Sequence, residues 1–69
     1  SDADPALPAK LYHFLRERLP LNEDDPAHRF FLHGLSGLLA DWMSGGFQEP
    51  PEQMTALAVP YFQDLTGAV

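Results

Sequence analysis

The chain contains no cysteine among its 69 residues. Without thiols it can form neither a disulfide framework nor a thiolate zinc site, two supports on which many short domains depend. A domain of this length buries only about 60% of the surface that its unfolded chain exposes, so its stability margin is small. We therefore expect good helix packing or association with another chain to supply stability. The lack of cysteine also fits a protein of a reducing compartment, where disulfides are rare. We therefore expect a cytoplasmic protein.

Basic side chains are scarce as well. Lys10, Arg16, Arg18 and Arg29 stand against ten Asp and Glu residues, which gives a formal net charge of −6. Nucleic acids and anionic membranes are bound by basic surfaces that displace counterions. We therefore expect this chain to contact neither of them directly.

Long apolar runs and a secretion signal are also missing. No apolar stretch approaches the roughly 20 residues of a membrane-spanning helix. The first ten residues, SDADPALPAK, lack the basic and apolar regions of a signal peptide. Because the chain does not start with methionine, we expect an excised domain or a processed chain.

Apolar residues recur at steps of three and four, and no alternating strand pattern lasts beyond a few residues. This periodicity predicts an all-α, three-helix domain over residues 8–66, with helices at about 8–19, 26–44 and 51–65. Residues 1–7 are expected to be a flexible lead-in and residues 67–69 a frayed tail. Helices two and three are expected to form an antiparallel hairpin that contributes to an intermolecular helix bundle.

The helix boundaries follow from proline, glycine and acidic residues. Asp25 before Pro26 is typical of a helix start, because the carboxylate caps a free N–H and proline needs none at the first position. Gly45 and Gly46 should end the second helix, since glycine accepts the left-handed conformation of a C-cap. Pro60 lies inside the third apolar pattern and is expected to kink that helix or split it.

The second helix is apolar over an unusually wide arc. Three rows follow helical spacing: Phe31, Leu35, Leu38 and Trp42; Leu32, Leu39 and Met43; and Phe30, Gly34, Gly37 and Asp41. A surface helix normally needs an apolar arc of just over 100°. Each interior glycine costs about 1 kcal/mol relative to alanine. We therefore expect the glycines to permit close approach of another helix, either within the chain or in a second copy.

Residues 30–62, FFLHGLSGLLADWMSGGFQEPPEQMTALAVPYF, resemble the C-terminal ligand-sensing and dimerisation region of TetR-family transcriptional regulators. In that family the last two helices often comprise an apolar, glycine-containing helix ending in Trp, a Gly-bearing turn and a Pro–Glu start to the final helix. The matching positions are Phe31, Gly34, Leu35, Leu38, Leu39 and Trp42, then Gly46, then Pro51, Glu52 and Met54.

The resemblance implies that helices two and three pair with their counterparts in a second subunit to form a four-helix bundle. It implies candidate interface or core positions at Phe31, Gly34, Leu35, Leu38, Leu39, Trp42, Met54, Leu57 and Tyr61. Nothing in the chain resembles the family's N-terminal helix-turn-helix, so the implied role is a homodimerisation segment without its DNA-binding part. A small apolar effector is implied if the chain belongs to a larger domain.

No set of residues predicts catalysis, a cofactor or a metal site. A nucleophile elbow has a glycine two residues before the serine and another two residues after it, and it follows a strand. In HGLSG, Gly34 fits the first position, but Leu38 occupies the second and the segment is predicted to be helical. Ser36 is therefore interpreted as a packing residue. His28 and His33 are five residues apart, whereas metal-binding histidines on one helix are three or four apart. His33 is expected to be a buried, hydrogen-bonded histidine or a pH-sensitive contact. We therefore predict a protein that is not an enzyme.

These observations together predict a non-catalytic protein–protein association module. The first hypothesis is the dimerisation segment of a TetR-like regulator. The alternative is a small helical adaptor or docking domain of a multidomain protein, which binds a partner helix or peptide in an apolar groove. Its acidic rim would then prefer a basic partner. Most of the eight aromatic side chains are expected to form the core.

Overall fold

A computed structural model of the chain describes residues 4–67, most of which belong to three α-helices. These are α1 (Leu7–Arg18), α2 (Pro26–Ser44) and α3 (Pro51–Thr66). The all-α, three-helix prediction is confirmed, and the observed bounds differ from the expected ones by at most one residue. Of the expected lead-in and tail, residues 1–3 and 68–69 lie outside the described residues. None of the three described helices has the length and hydropathy needed to cross a bilayer.

The ends of α2 follow the local chemistry of the sequence. The carboxylate of Asp25, the N-cap, accepts the Ala27 N–H at 2.9 Å, and Pro26 begins the helix. At the other end Gly45 is the C-cap with a φ of −84°, and Gly46 takes the left-handed conformation with a φ of +83°. Only the second of the two glycines therefore supplies the left-handed residue that ends the helix.

The third helix continues through its proline. α3 is uninterrupted from Pro51 to Thr66 with Pro60 inside it, so the expected splitting does not occur. Proline has no N–H, which leaves the Ala56 carbonyl without its usual helical donor. The left-handed Gly67, with a φ of +72°, is the C-cap.

The buried core is small and lies on one face of α2. Leu32 is 0% exposed, Ser36 2% and Ala40 5%, and their spacing of four places them on the same side of the helix. The Ser36 hydroxyl donates to the Leu32 carbonyl at 2.6 Å, so its burial leaves no donor unsatisfied. The expectation that most aromatic residues form the core is wrong, because the buried face of α2 carries Leu32, Ser36 and Ala40 and no aromatic residue within 4–67 is buried. Four of the eight aromatic residues are substantially exposed: Phe14, Phe30, Phe47 and Tyr61.

The contact between α1 and α2 includes an aromatic stack. The rings of Tyr12 and His33 lie 4.4 Å apart between centroids with planes at 25°. The Tyr12 hydroxyl donates to Glu23 at 3.3 Å, and the guanidinium of Arg16 contacts the same carboxylate at 3.4 Å. His33 is an exposed residue, so the expectation of a buried histidine is wrong. Its ring lies against the edge of the α1–α2 contact, which buries less of it than a core position does.

The third helix packs against α2 alone. Within residues 4–67 no Cα atom of α1 comes within 8 Å of one in α3, and α3 packs less extensively on α2 than α1 does. The rings of Phe31 and Phe62 meet across the α2–α3 boundary with centroids 6.2 Å apart. The antiparallel hairpin of α2 and α3 stays a prediction.

Candidate protein-binding groove

An open apolar groove of about 490 Å³ runs between α2 and α3. α1 lies beside Ser36, which shares a face of α2 with Leu32 and Ala40, and the groove occupies a different face of the same helix. The α2 wall consists of Ala27, Phe30, Phe31, Gly34, Leu35 and Leu38, and the α3 wall of Leu57, Ala58, Tyr61, Asp64 and Leu65. Asp64 is the one ionisable carboxyl group among these described residues. The groove is therefore suited to apolar side chains.

Several groove side chains are strongly exposed to solvent. Phe30 is 82% exposed, Tyr61 62% and Leu57 50%, and Leu38 is also exposed. A single apolar side chain at the surface is ordinary, but contiguous apolar surface marks sites of contact with proteins, membranes or ligands. These residues share one groove, so their exposure marks a candidate binding surface.

Gly34 and Gly37 face open space. A Cβ atom built on either glycine would meet nothing within 4 Å among the described residues, apart from the helix's own backbone. The expectation that another helix of the same chain crosses closely at these glycines is therefore wrong. α1 and α3 both stay clear of these two positions, and Gly34 lines the open groove. A close approach by a second copy stays a prediction.

A smaller cavity of about 190 Å³ continues from the groove at Leu38, which lines both. Its other lining residues are Asp41, Trp42, Gly45, Gln48, Glu49 and Met54. The Trp42 Nε1–H donates to the Glu49 carbonyl at 2.8 Å, and the Phe47 ring meets the indole edge to face at 4.8 Å. The turn after α2 therefore folds back onto Trp42 and holds its indole ring in place. We call this space the Trp42 cavity.

The structure brings most of the sequence-predicted interface residues together. The groove contains Phe31, Gly34, Leu35, Leu38, Leu57 and Tyr61, and the Trp42 cavity contains Trp42 and Met54. Leu39 lines neither space. It follows Leu32 by seven residues and therefore lies toward the α1 side of α2.

Five groove residues were missed by the sequence-based set: Ala27, Phe30, Ala58, Asp64 and Leu65. Phe30 and Leu65 carry a usable signal, because each lies four residues from a predicted position, Gly34 and Tyr61 respectively. Asp64 carries none, since a single acidic residue on a helix is usually an ordinary solvated charge.

The charge on this half of the molecule is of one sign. No Lys or Arg follows Arg29 in the sequence, whereas Asp41, Glu49, Glu52 and Asp64 all do. Asp64 lines the groove, and Asp41 and Glu49 line the Trp42 cavity. The ion pairs among residues 4–67 involve none of these four carboxylates. The acidic residues that line the groove and the Trp42 cavity therefore form no ion pair with a basic side chain among residues 4–67.

Two groups away from the groove have shifted ionisation. Burial, together with the hydrogen bond to Glu23, raises the pKa of Tyr12. The hydrogen bond from Lys10, with a second from the Ala6 N–H, lowers the pKa of the Asp4 carboxyl. Within residues 4–67 no three His, Asp or Glu side chains are placed to hold a metal ion together.

Comparison of the chain with protein-family models, with curated proteins and with solved structures finds no match.

Proposed function

We propose that this chain is a non-catalytic protein–protein association module that binds an α-helix in the groove between α2 and α3. The observation that carries the proposal is the groove itself, an apolar channel of about 490 Å³ bounded by two helices. In helix-in-groove recognition an amphipathic helix buries side chains spaced by three and four residues in such a channel.

The exposure of Phe30 supports the same proposal. Its side chain projects from the groove wall with 82% of its surface exposed. Full burial of a phenylalanine side chain contributes about 1.5–3 kcal/mol. An occupant that covers Phe30 therefore gains a contact that the isolated chain lacks.

One form of the proposal is the dimerisation segment of a TetR-like regulator, in which the occupant is a helix of a second copy. The open space at Gly34 and Gly37 favours this form, because bare backbone allows another helix to approach closely. Their neighbour Phe30 would then pack against the second copy.

The other form is a docking domain that binds a helix of a different protein. The absence of Lys and Arg after Arg29 favours this form, because a second copy would bring the same carboxylates to the interface. Both forms use one groove, so one variant tests their common basis.

The test compares Phe30→Asp with wild type. The first measurement is the mass by light scattering over roughly a hundredfold range of concentration. The second is the Trp42 fluorescence during titration with an apolar-faced helical peptide of about 18 residues with uncharged ends. We expect wild type to self-associate or bind the peptide, and Phe30→Asp to do neither, because a carboxylate is costly to bury in an apolar contact.

The matched control is Phe14→Asp, which places the same charge on α1, outside the groove, at a phenylalanine that is 49% exposed. It should associate like wild type. A wild-type chain that stays monomeric and leaves the peptide unbound would overturn the proposal. Equal association by the Phe30→Asp variant would also overturn it.

A further inference from the structure

The charges around the groove indicate which kind of helix it accepts. We infer that the occupant is a basic amphipathic helix of another protein, with one Lys or Arg side chain in the Trp42 cavity and a second basic residue beside Asp64. This inference rests on the proposed function and adds the chemistry of the partner.

The carboxylates lie at the two ends of the groove and not along its middle. Asp64 lines the groove two residues after Phe62, whose ring contacts Phe31 in the first half of α2. Asp41 and Glu49 line the Trp42 cavity, near the end of α2. An apolar centre with an acid at each end matches an apolar helix face with a base at each end.

The Trp42 cavity has the composition that a long basic side chain needs. Leu38, Met54 and Trp42 offer apolar surface to the methylene groups, and the lining also includes two acidic residues, Asp41 and Glu49, as partners for the charged head group. Lys and Arg commonly lie along apolar surface in this way while the charge stays near solvent. The Trp42 indole also offers an aromatic partner for the cation.

Within residues 4–67 these carboxylates form no ion pair with Lys or Arg. The ion pairs formed by lysine and arginine in the described chain join Lys10 to Asp4 and Arg16 to Glu23, both away from the groove. Residues 30–67 contain no Lys or Arg at all. A second copy docked in the groove would bring like charges together, whereas a basic helix would neutralise them.

The spacing of the two ends sets the length of the occupant. At 1.5 Å per residue, α2 covers about 22 Å between Ala27 and Trp42, which corresponds to about 15 residues of an antiparallel or parallel helix. Peptides of about 18 residues therefore span the groove with a basic residue near each end.

The experiment uses three synthetic helical peptides with one apolar face and different ends: arginine at both, glutamate at both, or no charge at either. Binding to the full chain is followed by the fluorescence of Trp42, the only tryptophan. We expect the arginine peptide to bind at least about tenfold more tightly than the glutamate peptide at low salt. The difference should shrink as salt is raised, because exposed charges are screened.

The matched variants locate the effect. Asp41→Asn, Glu49→Gln and Asp64→Asn together remove the charge and keep the side-chain shape. The triple variant should bind the arginine peptide about tenfold more weakly than wild type does, and its affinity for the uncharged peptide should be unchanged. The control combines Glu17→Gln with Asp24→Asn, two exposed acidic residues outside the groove. It should bind the three peptides with the same order of affinities as wild type.

The outcomes separate the inference from the proposed function. Equal binding of all three peptides would overturn the inference and leave the helix-binding groove standing. A stable dimer that excludes the peptides would also overturn the inference, because the occupant would then be a second copy, and it would leave the helix-binding groove standing. A monomer that binds none of them would overturn both.

Discussion

Phe31 of α2 and Phe62 of α3 lie with their ring centroids 6.2 Å apart and their planes inclined at 44°. This contact helps to hold the third helix in place, because within residues 4–67 α3 packs on α2 and no Cα atom of α3 lies within 8 Å of one in α1. α3 is therefore the least secured of the three helices, although it forms one wall of the groove.

Phe62→Ala should release α3 before the rest of the fold. We expect the free energy of unfolding to fall by about 1–2 kcal/mol, less than for a fully buried phenylalanine. Hydrogen exchange should show lower protection over Pro51–Thr66 while the amides around Leu32 stay protected. The control is Tyr61→Ala, a change at a side chain that is 62% exposed, which should stay within about 0.5 kcal/mol of wild type. A uniform loss of protection in Phe62→Ala would contradict this account.

Gly34→Ala and Gly37→Ala should each stabilise the isolated chain. Alanine favours a helix interior by about 1 kcal/mol over glycine, and the added methyl group meets open space at both positions. Denaturant unfolding at low protein concentration measures the effect. A loss of stability would mean that another element packs against these glycines. If the occupant of the groove approaches the bare backbone, Gly34→Ala should bind it more weakly, because Gly34 lines the groove.

Stability should decrease in alkaline solution through Tyr12. Burial and the hydrogen bond to Glu23 raise the pKa of this phenol in the folded chain, whereas an unfolded tyrosine ionises near pH 10. The folded state therefore holds this proton more tightly. The resulting stabilisation is fully present below about pH 10 and is lost as the pH rises through the folded pKa.

Tyrosinate absorbance checks this prediction. Tyr12→Phe should remove a transition whose midpoint lies above the ordinary tyrosine pKa. The stability of Tyr12→Phe should also depend less on pH above about pH 10 than that of wild type. A single transition near the ordinary tyrosine pKa in wild type would contradict the prediction.

Asp25→Ala should weaken the start of α2. The Asp25 carboxylate accepts the Ala27 N–H at 2.9 Å, and loss of an N-cap of this kind typically costs about 1 kcal/mol. Thermal unfolding measures the loss. Asp24→Ala is the matched control, because the Asp24 carboxylate does not cap the helix, and its free energy of unfolding should stay within about 0.5 kcal/mol of wild type. Equal losses of stability in the two variants would mean that the negative charge of the loop, and not the cap, stabilises α2.

The sequence by itself determined the local features of this protein. Asp25 before Pro26 and the glycine pair after Ser44 marked the ends of α2, because capping and left-handed conformations depend on a few adjacent residues. Six of the nine interface positions implied by the family resemblance lie in one groove, and on each helix they follow spacings of three and four, so they share a face of that helix. The one-sided charge of residues 30–67 was also evident from the sequence.

Only the tertiary structure decided which face of α2 is covered and which stays open. Periodicity shows which residues share a face, but it does not show which neighbouring helix packs there. α1 packs on the face of Leu32, Ser36 and Ala40, where small side chains permit close contact, and this leaves Phe30 and Gly34 uncovered. The groove depends on the separation of α2 and α3, which is set by contacts between residues far apart in the chain, and no local pattern records it.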